Sequence, residues 1–252
     1  MASKRVLAFD FGASSGRAIL ATYTDGKIAM QEIHRFSNDP VNLCGTLYWD
    51  VQRLFFEIKQ GITKAVHQGG FDAIGIDTWG VDFGLLDAHG QLVANPVHYR
   101  DERTVGMMEK AYEKVPQQEL YDRTGIQLMR LNTVFQLVSL VEIRPDLLER
   151  TETMLLMPDL LAYFLTGAKY AEYSEVSTTQ MLDPKTGDWA YDLLGRLGIP
   201  TRILPKIIDP GTPYGSLRAD ICEELGCPQV PVIAVCTHDT GSAVAAVPTQ
   251  AD

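Results

Sequence analysis

The 252-residue chain is 46% hydrophobic and 21% charged, an ordinary globular composition that can bury a core without disulfides or a structural metal. Its 22 Lys and Arg against 32 Asp and Glu leave a net charge of −10. That balance excludes the basic stripe a nucleic-acid surface needs. It leaves open a phosphate site built from backbone N–H groups, Mg²⁺ and one or two cations. At roughly 150 residues per domain, the length allows one large domain or two small ones. No stretch approaches the ~20 apolar residues of a membrane span, and the apolar run after Arg5 is too short for a secretory leader. Cys44, Cys222, Cys227 and Cys236 form no CxxC pair and no metal-ligand pattern, and read as reduced thiols in a cytoplasmic protein.

Val6 to Phe11 is an apolar run interrupted by Asp10, as in a buried strand. Gly12 to Gly16 makes a turn, and Arg17 to Tyr23 and Ile28 to Phe36 read as two further strands joined by the hairpin signal Asp25-Gly26. Three successive antiparallel strands exclude a dinucleotide-binding βαβ opening. Asp50 caps a helix whose apolar positions run from Val51 to Val66, ended by Gly69-Gly70. Strands are expected at Ala73–Asp77, Val81–Asp87 and Gln91–Tyr99, and helix from Asp101 to about Leu148. A short apolar run, Met154–Met157, precedes a helix with Pro158 in its first turn that stops at Gly167. Residues 168–215 carry little pattern. A helix over Ser216–Leu225, a strand over Pro231–Cys236 and a helix from Thr240 follow. The order is that of a layered α/β domain.

Four segments carry chemistry. In Asp10–Arg17, two glycines, Ser14, Ser15 and Arg17 can cradle phosphate, the glycines by positive φ and the turn by an anion nest, with Asp10 placed to hold Mg²⁺. A plain hairpin turn with a solvated arginine is the other reading. In Thr237–Ala243, Asp239 at a strand end can accept a hydroxyl proton and His238 can bond the same substrate, unless Asp239 is simply a helix cap. In Gly75–Phe83, Asp77 and Asp82 flank Trp79 and Gly80, which suits vicinal hydroxyls against an aromatic wall or, equally, two satisfied carboxylates and a buried indole. The charged run Tyr99–Thr104 reads as a solvated helix start, and His34, His67, His89 and His98 as surface or internally satisfied.

Together and in this order, DFGASSGR (10–17), EIHRF (32–36), GIDTWGVDF (75–83), YRDERT (99–104), GIQ (125–127), LLMPD (155–159), TTQ (178–180) and HDTGSAV (238–244) resemble the FGGY carbohydrate kinases, of the sugar-kinase, heat-shock ATPase and actin superfamily. The resemblance spans essentially the whole chain. It implies a ribonuclease-H-like (actin-like ATPase) α/β domain with a mixed sheet, its first three strands antiparallel and helices packed on the sheet. It implies ATP and Mg²⁺ as cofactors, Ala13, Ser14, Ser15, Gly16 and Arg17 on the ATP phosphates, and Asp10 toward Mg²⁺ through water. Gly80, His238, Asp239 and Thr240 are implied at the ketose, with Asp239 the catalytic base, and on the reading of Gly75–Phe83 above Asp82 joins His238 in fixing the sugar with Trp79 as an apolar wall. The implied reaction is phosphorylation of L-rhamnulose at its C1 hydroxyl. Fuculose or xylulose, sugar binding without turnover, and a heat-shock-type ATPase with a protein client are the alternatives. Family chains are about twice as long, so residues 1–252 correspond to an N-terminal sugar-binding domain, with the nucleotide-binding domain outside them. An apolar face beyond a few hundred Å² where the second domain would dock, with self-association through it, is expected.

Overall fold

Alternating burial sets the first two strands. The computed structural model describes residues 3–248. In it β1 (Lys4–Phe11) buries Leu7, Phe9 and Phe11 on one face, and β2 (Ser15–Thr24) and β3 (Lys27–Ser37) follow in antiparallel register. Asp25 and Gly26 both take positive φ (50° and 78°), the two-residue turn that matches strand twist. A small hairpin that sequence patterning does not signal, β4 (Val41–Leu43) and β5 (Thr46–Tyr48), leads into α1 (Val51–His67). Asp50 caps α1 as expected, its Oδ1 accepting from Arg53 N at 3.0 Å. The chain then returns as β6 (Ala73–Thr78), parallel to β1.

After β6 the strands shorten to β7 (Phe83–Leu86) and β8 (Leu92–Ala94), and the expected strand to Tyr99 ends early, at Asn95-Pro96. The expected long helical stretch is divided into a 3₁₀ turn (Glu102–Thr104), α2 (Met107–Lys114), α3 (Gln117–Thr124), α4 (Thr133–Ile143) and α5 (Pro145–Arg150). Pro116 separates α2 from α3, and Gly125, left-handed at φ 72°, ends α3 and opens an irregular segment over 125–132. Strand β9 (Thr153–Leu156) pairs with β7, and α6 (Met157–Thr166) has Pro158 in its first turn and stops at Gly167, φ 80°.

The illegible middle resolves into short pieces: β10 (Ala171–Glu172), α7 (Tyr173–Val176), β11 (Leu182–Asp183), β12 (Asp188–Trp189), α8 (Tyr191–Leu197) and β13 (Ile207–Ile208). Then come β14 (Pro213–Ser216), α9 (Ala219–Leu225), β15 (Pro231–Ile233) and α10 (Asp239–Ala245). The helix expected from Ser216 begins at Ala219 because Ser216 pairs with Pro231, and the strand expected to Cys236 is paired only through Ile233.

The main sheet has the order β14-β15-β6-β1-β2-β3, and β8-β7-β9 forms a second, antiparallel sheet. Two cores result. Leu7, Phe9, Ile58, Ile62 and Leu161 belong to the one on the main sheet, and Phe135, Val138, Leu194 and Ile203 to the other. Strand β9 serves both: Leu155 packs into the first core, Met154 and Leu156 into the second. No helix among the described residues is long and apolar enough to cross a membrane.

Candidate active site

Parallel neighbours end together, so β1, β6 and the segment after β15 deliver their C-terminal ends to one edge. Trp79 N donates to Phe11 O at 3.1 Å, and Thr78 N to Thr237 O at 2.9 Å. Thr78 and His238 form an isolated parallel bridge. Three of the four segments singled out in the sequence therefore converge where ligands sit in open α/β sheets. A cavity of about 550 Å³ opens there. It is lined by Ala13 of the hairpin, Trp79, Gly80, Val81 and Tyr99, by Ile126, Gln127, Met129, Leu131 and Asn132 of the irregular segment, by Ser177 and Thr178, and by His238 and Asp239.

The wall is tightly built. A Cβ on Gly80 would stand 3.0 Å from Thr178 Cγ2, so only glycine fits without displacing that side chain. Val81 has φ 71°, a conformation costing roughly 1–3 kcal/mol for a non-glycine residue. It is held there by its N–H donating to Thr178 Oγ1 (3.1 Å) and by Thr133 Oγ1 (2.7 Å) and Gln136 Nε2 (3.3 Å) donating to its carbonyl.

Behind this wall Asp82 is fully buried. Its Oδ2 accepts from Trp49 Nε1 (2.6 Å), Trp79 Nε1 (3.1 Å) and Tyr99 N (3.1 Å), and its Oδ1 from Gln136 Nε2 (2.9 Å). Burial pushes its pKa up to about 6, against the pull of those hydrogen bonds. Trp49 lies 3.9 Å from Trp79 and 4.0 Å from His98 between ring centroids. His98, buried and lowered to about 4 by desolvation, is a neutral ring in that stack.

On the opposite side stands the hairpin. Neither Gly12 nor Gly16 takes positive φ, and Gly12 N donates to Ser15 O at 2.9 Å, so the expected nest conformation is not formed at the glycines. Gly16 is needed for another reason: a Cβ there would come within 2.2 Å of the Phe36 ring. Arg17 Nε lies 3.1 Å from Asp10 Oδ2, directly across the β1–β2 ladder. Asp10 is also the ladder partner of Asp77. Burial, together with the charges of Asp10 and Asp239, raises Asp77 to about 7. Asp239 is the first residue of α10, with His238 in the cap position. Its Oδ1 accepts from Thr240 N (2.6 Å) and lies 3.4 Å from His238 Nε2. Desolvation lowers the His238 pKa, favouring the neutral ring, while Asp239 opposes.

The model of the FGGY family of carbohydrate kinases, N-terminal domain, matches residues 5–246. The chain belongs to that family. The rhamnulokinase of Oceanobacillus iheyensis is 43% identical over 245 residues, covering 97% of this chain and 52% of that protein. Among solved structures, a gluconate kinase from Lactobacillus acidophilus superposes with a TM-score of 0.83 at 19% identity, covering 93% of this chain and 48% of that one. A ligand-bound xylulose kinase from the same organism gives 0.81 at 19%, with 92% and 48% covered. These neighbours share the actin-like ATPase fold expected from the sequence. The chain spans about half the length of the curated relatives it matches.

In this FGGY domain the expected Ala13, Trp79, Gly80, His238 and Asp239 lie on one cavity. Asp82 does not: it is fully buried behind the lining, its oxygens accept from four donors, and it supports the aromatic wall. Thr240 is exposed and off the lining, its hydroxyl 3.1 Å from Asp239 Oδ1. Ser14, Ser15, Gly16, Arg17 and Asp10 stand off the cavity lining, on the hairpin side. Sequence reading missed Trp49, Gln136, Val81 and Thr178. Only Trp49 and Thr178 left a signal, an indole before a helix cap and the TTQ string. Among the described residues no group of three His, Cys, Asp or Glu can hold a metal by protein ligands alone. Mg²⁺ commonly takes one or two carboxylates plus water and phosphate, and the crowded, partly unneutralised Asp10–Asp77–Asp239 edge fits that mode.

Proposed function

We propose that this domain is the sugar-binding half of an ATP-dependent kinase that phosphorylates the C1 hydroxyl of L-rhamnulose to L-rhamnulose 1-phosphate, in the cytoplasm. The observation that carries the reading is that Asp239 and the hairpin residue Ala13 border the same aromatic-walled cavity. The 43% identity to proteins named rhamnulokinase supports the choice of ketose. Structural neighbours named xylulose kinase and gluconate kinase keep another sugar as the second reading.

In this mechanism the ketose stacks against Trp79, with His238 bonding its hydroxyls. The carboxylate of Asp239 takes the O1 proton as O1 attacks the γ-phosphorus. The O1–P bond forms as the bond from phosphorus to the β–γ bridging oxygen breaks, releasing ADP. Phosphoryl transfer asks the protein chiefly for positioning and charge stabilisation. The 12–17 hairpin, with Arg17 and its N–H groups, faces the phosphates. Mg²⁺, held through water by Asp10 with Asp77 beside it, would supply charge neutralisation at the phosphates. The second half that the relatives carry would hold the rest of the nucleotide.

A ketose panel tests the reading. L-Rhamnulose, L-fuculose and D-xylulose are titrated calorimetrically into this domain, and each is assayed for ADP release with the intact kinase. Preference for L-rhamnulose in both measurements supports the proposal. A preference for another ketose transfers it, and sugar-independent ATP hydrolysis ends it.

A further inference from the structure

Beyond Ile233 the chain leaves the sheet ladder and runs to His238 as an irregular segment before α10 begins at Asp239. Asp239 therefore follows a short connection whose backbone is held at Ala234, which donates to Thr212 O and accepts from Gly211 N, and at Thr237 O, which accepts from Thr78 N. A buried carboxylate adds a side-chain anchor. Glu172, fully buried at the start of α7, accepts from Thr237 N (3.0 Å), Thr237 Oγ1 (2.7 Å), Ser174 Oγ (2.5 Å) and Glu175 N (3.2 Å) at Oε2, and from Ser174 N (2.9 Å) at Oε1. The Ser174 hydroxyl in turn accepts from His238 N at 3.3 Å. Capping the four-residue α7 would need only the Ser174 and Glu175 amides. The two Thr237 donors come from 65 residues away and belong to the segment carrying Asp239.

The carboxylate is itself fixed. Glu172 N donates to Asp159 Oδ1 at 3.1 Å, and the same oxygen accepts from Tyr214 Oη at 2.5 Å. Five donors around one buried carboxyl group hold it in place and resist its displacement. We propose that Glu172 is a positioning residue for the base: through Thr237 and Ser174 it anchors the 236–238 segment and so sets where Asp239 meets the substrate hydroxyl. The inference rests on the reading of Asp239 as general base.

In the intact kinase, Glu172→Gln turns one acceptor oxygen into a donor facing donors. A misplacement of about 1 Å is worth roughly 10²-fold, so kcat is expected to fall about 10–100-fold while KM for the ketose stays within about threefold. Hydrogen–deuterium exchange is expected to accelerate in peptides covering 234–240 and to stay unchanged in those covering 4–11. Thr237→Val removes one donor and gives the same pattern with a loss of about three- to tenfold. Glu175→Gln, at a carboxyl that makes no hydrogen bond to the segment, keeps kcat. Unchanged kcat in both the Glu172 and Thr237 variants, or exchange that rises equally in 4–11, overturns the proposal. If Glu172→Gln does not fold, Thr237→Val alone supplies both readouts. A wild-type kinase without ketose-dependent turnover would fail the reading of Asp239 instead, and selective exchange at 234–240 would still decide whether Glu172 anchors the segment.

Discussion

The aromatic wall around Asp82 and the acid cluster around Glu175 both bury a carboxylate completely, with opposite outcomes. Asp82 collects four hydrogen-bond donors, and its pKa rises only to about 6. Glu175 has no hydrogen-bond partner at either carboxyl oxygen, and burial together with the charges of Asp159 and Glu172 holds its pKa well above the carboxylate range. Asp159 nearby is raised to about 8 by burial, with the Tyr214 hydroxyl pulling the other way. Burial alone thus does not decide whether an acid is an anion in this domain. The number of donors aimed at it does. Asp239 contributes to the field of the acid cluster and lines the same cavity as the aromatic wall.

The largest expected effect lies at that cavity. Asp239→Asn keeps the shape and removes the proton acceptor, so kcat of the intact kinase should fall about 10²–10⁴-fold with little change in ketose affinity by calorimetry. A kcat near wild type would leave the two regions with no base beside them. Next is the wall. Asp82→Ala strands two indole N–H groups and the Tyr99 backbone N–H, while the Gln136 amide keeps the Val81 and Leu131 carbonyls, and should cost about 3 kcal/mol in urea unfolding, since each unsatisfied buried donor costs roughly 1–3 kcal/mol. A neutral result would remove Asp82 as the organiser of the wall.

The smallest effect tests the other side and has the opposite sign. Glu175→Met replaces an unpartnered acid with an apolar chain and should stabilise by about 2 kcal/mol at pH 7.5. Because the folded-state pKa of Glu175 is raised well above its ordinary value of about 4.5, its contribution is fully present below about pH 4.5 and is lost as pH rises through the raised folded-state value. The advantage of the Met variant should therefore shrink toward pH 4.5 in thermal melts followed across pH. A gain independent of pH would mean that packing, rather than ionisation, separates the two regions.

Much of this was readable from local pattern. Asp25-Gly26 set the first hairpin and Asp50 the start of α1, because each acts within a few residues of itself. Trp79, Gly80, His238 and Asp239 were legible because strand ends carry a recognisable mix of apolar run, glycine and carboxylate. For Asp82 the sequence left two readings level, and the one its four donors match, a satisfied buried carboxylate, depends on Trp49 and Gln136 from distant segments and on a positive φ at Val81 that no valine advertises. Helix was expected through 125–132, where Gly125 instead ends α3 and leaves Ile126, Gln127, Met129, Leu131 and Asn132 to line the cavity. The Glu172–Thr237 link escaped notice because its partners are 65 residues apart and neither belongs to a motif that requires the other.

Strand β9 has a consequence of its own. Three consecutive residues divide their side chains between two cores, so neither core is closed without this strand in one particular alignment against β7. A slip of one position would send Leu155 into the space built for Leu156 and disrupt both cores at once. Such a chain should unfold as one cooperative unit, and any hinge that opens or closes over the cavity must lie outside the pair of sheets that β9 joins.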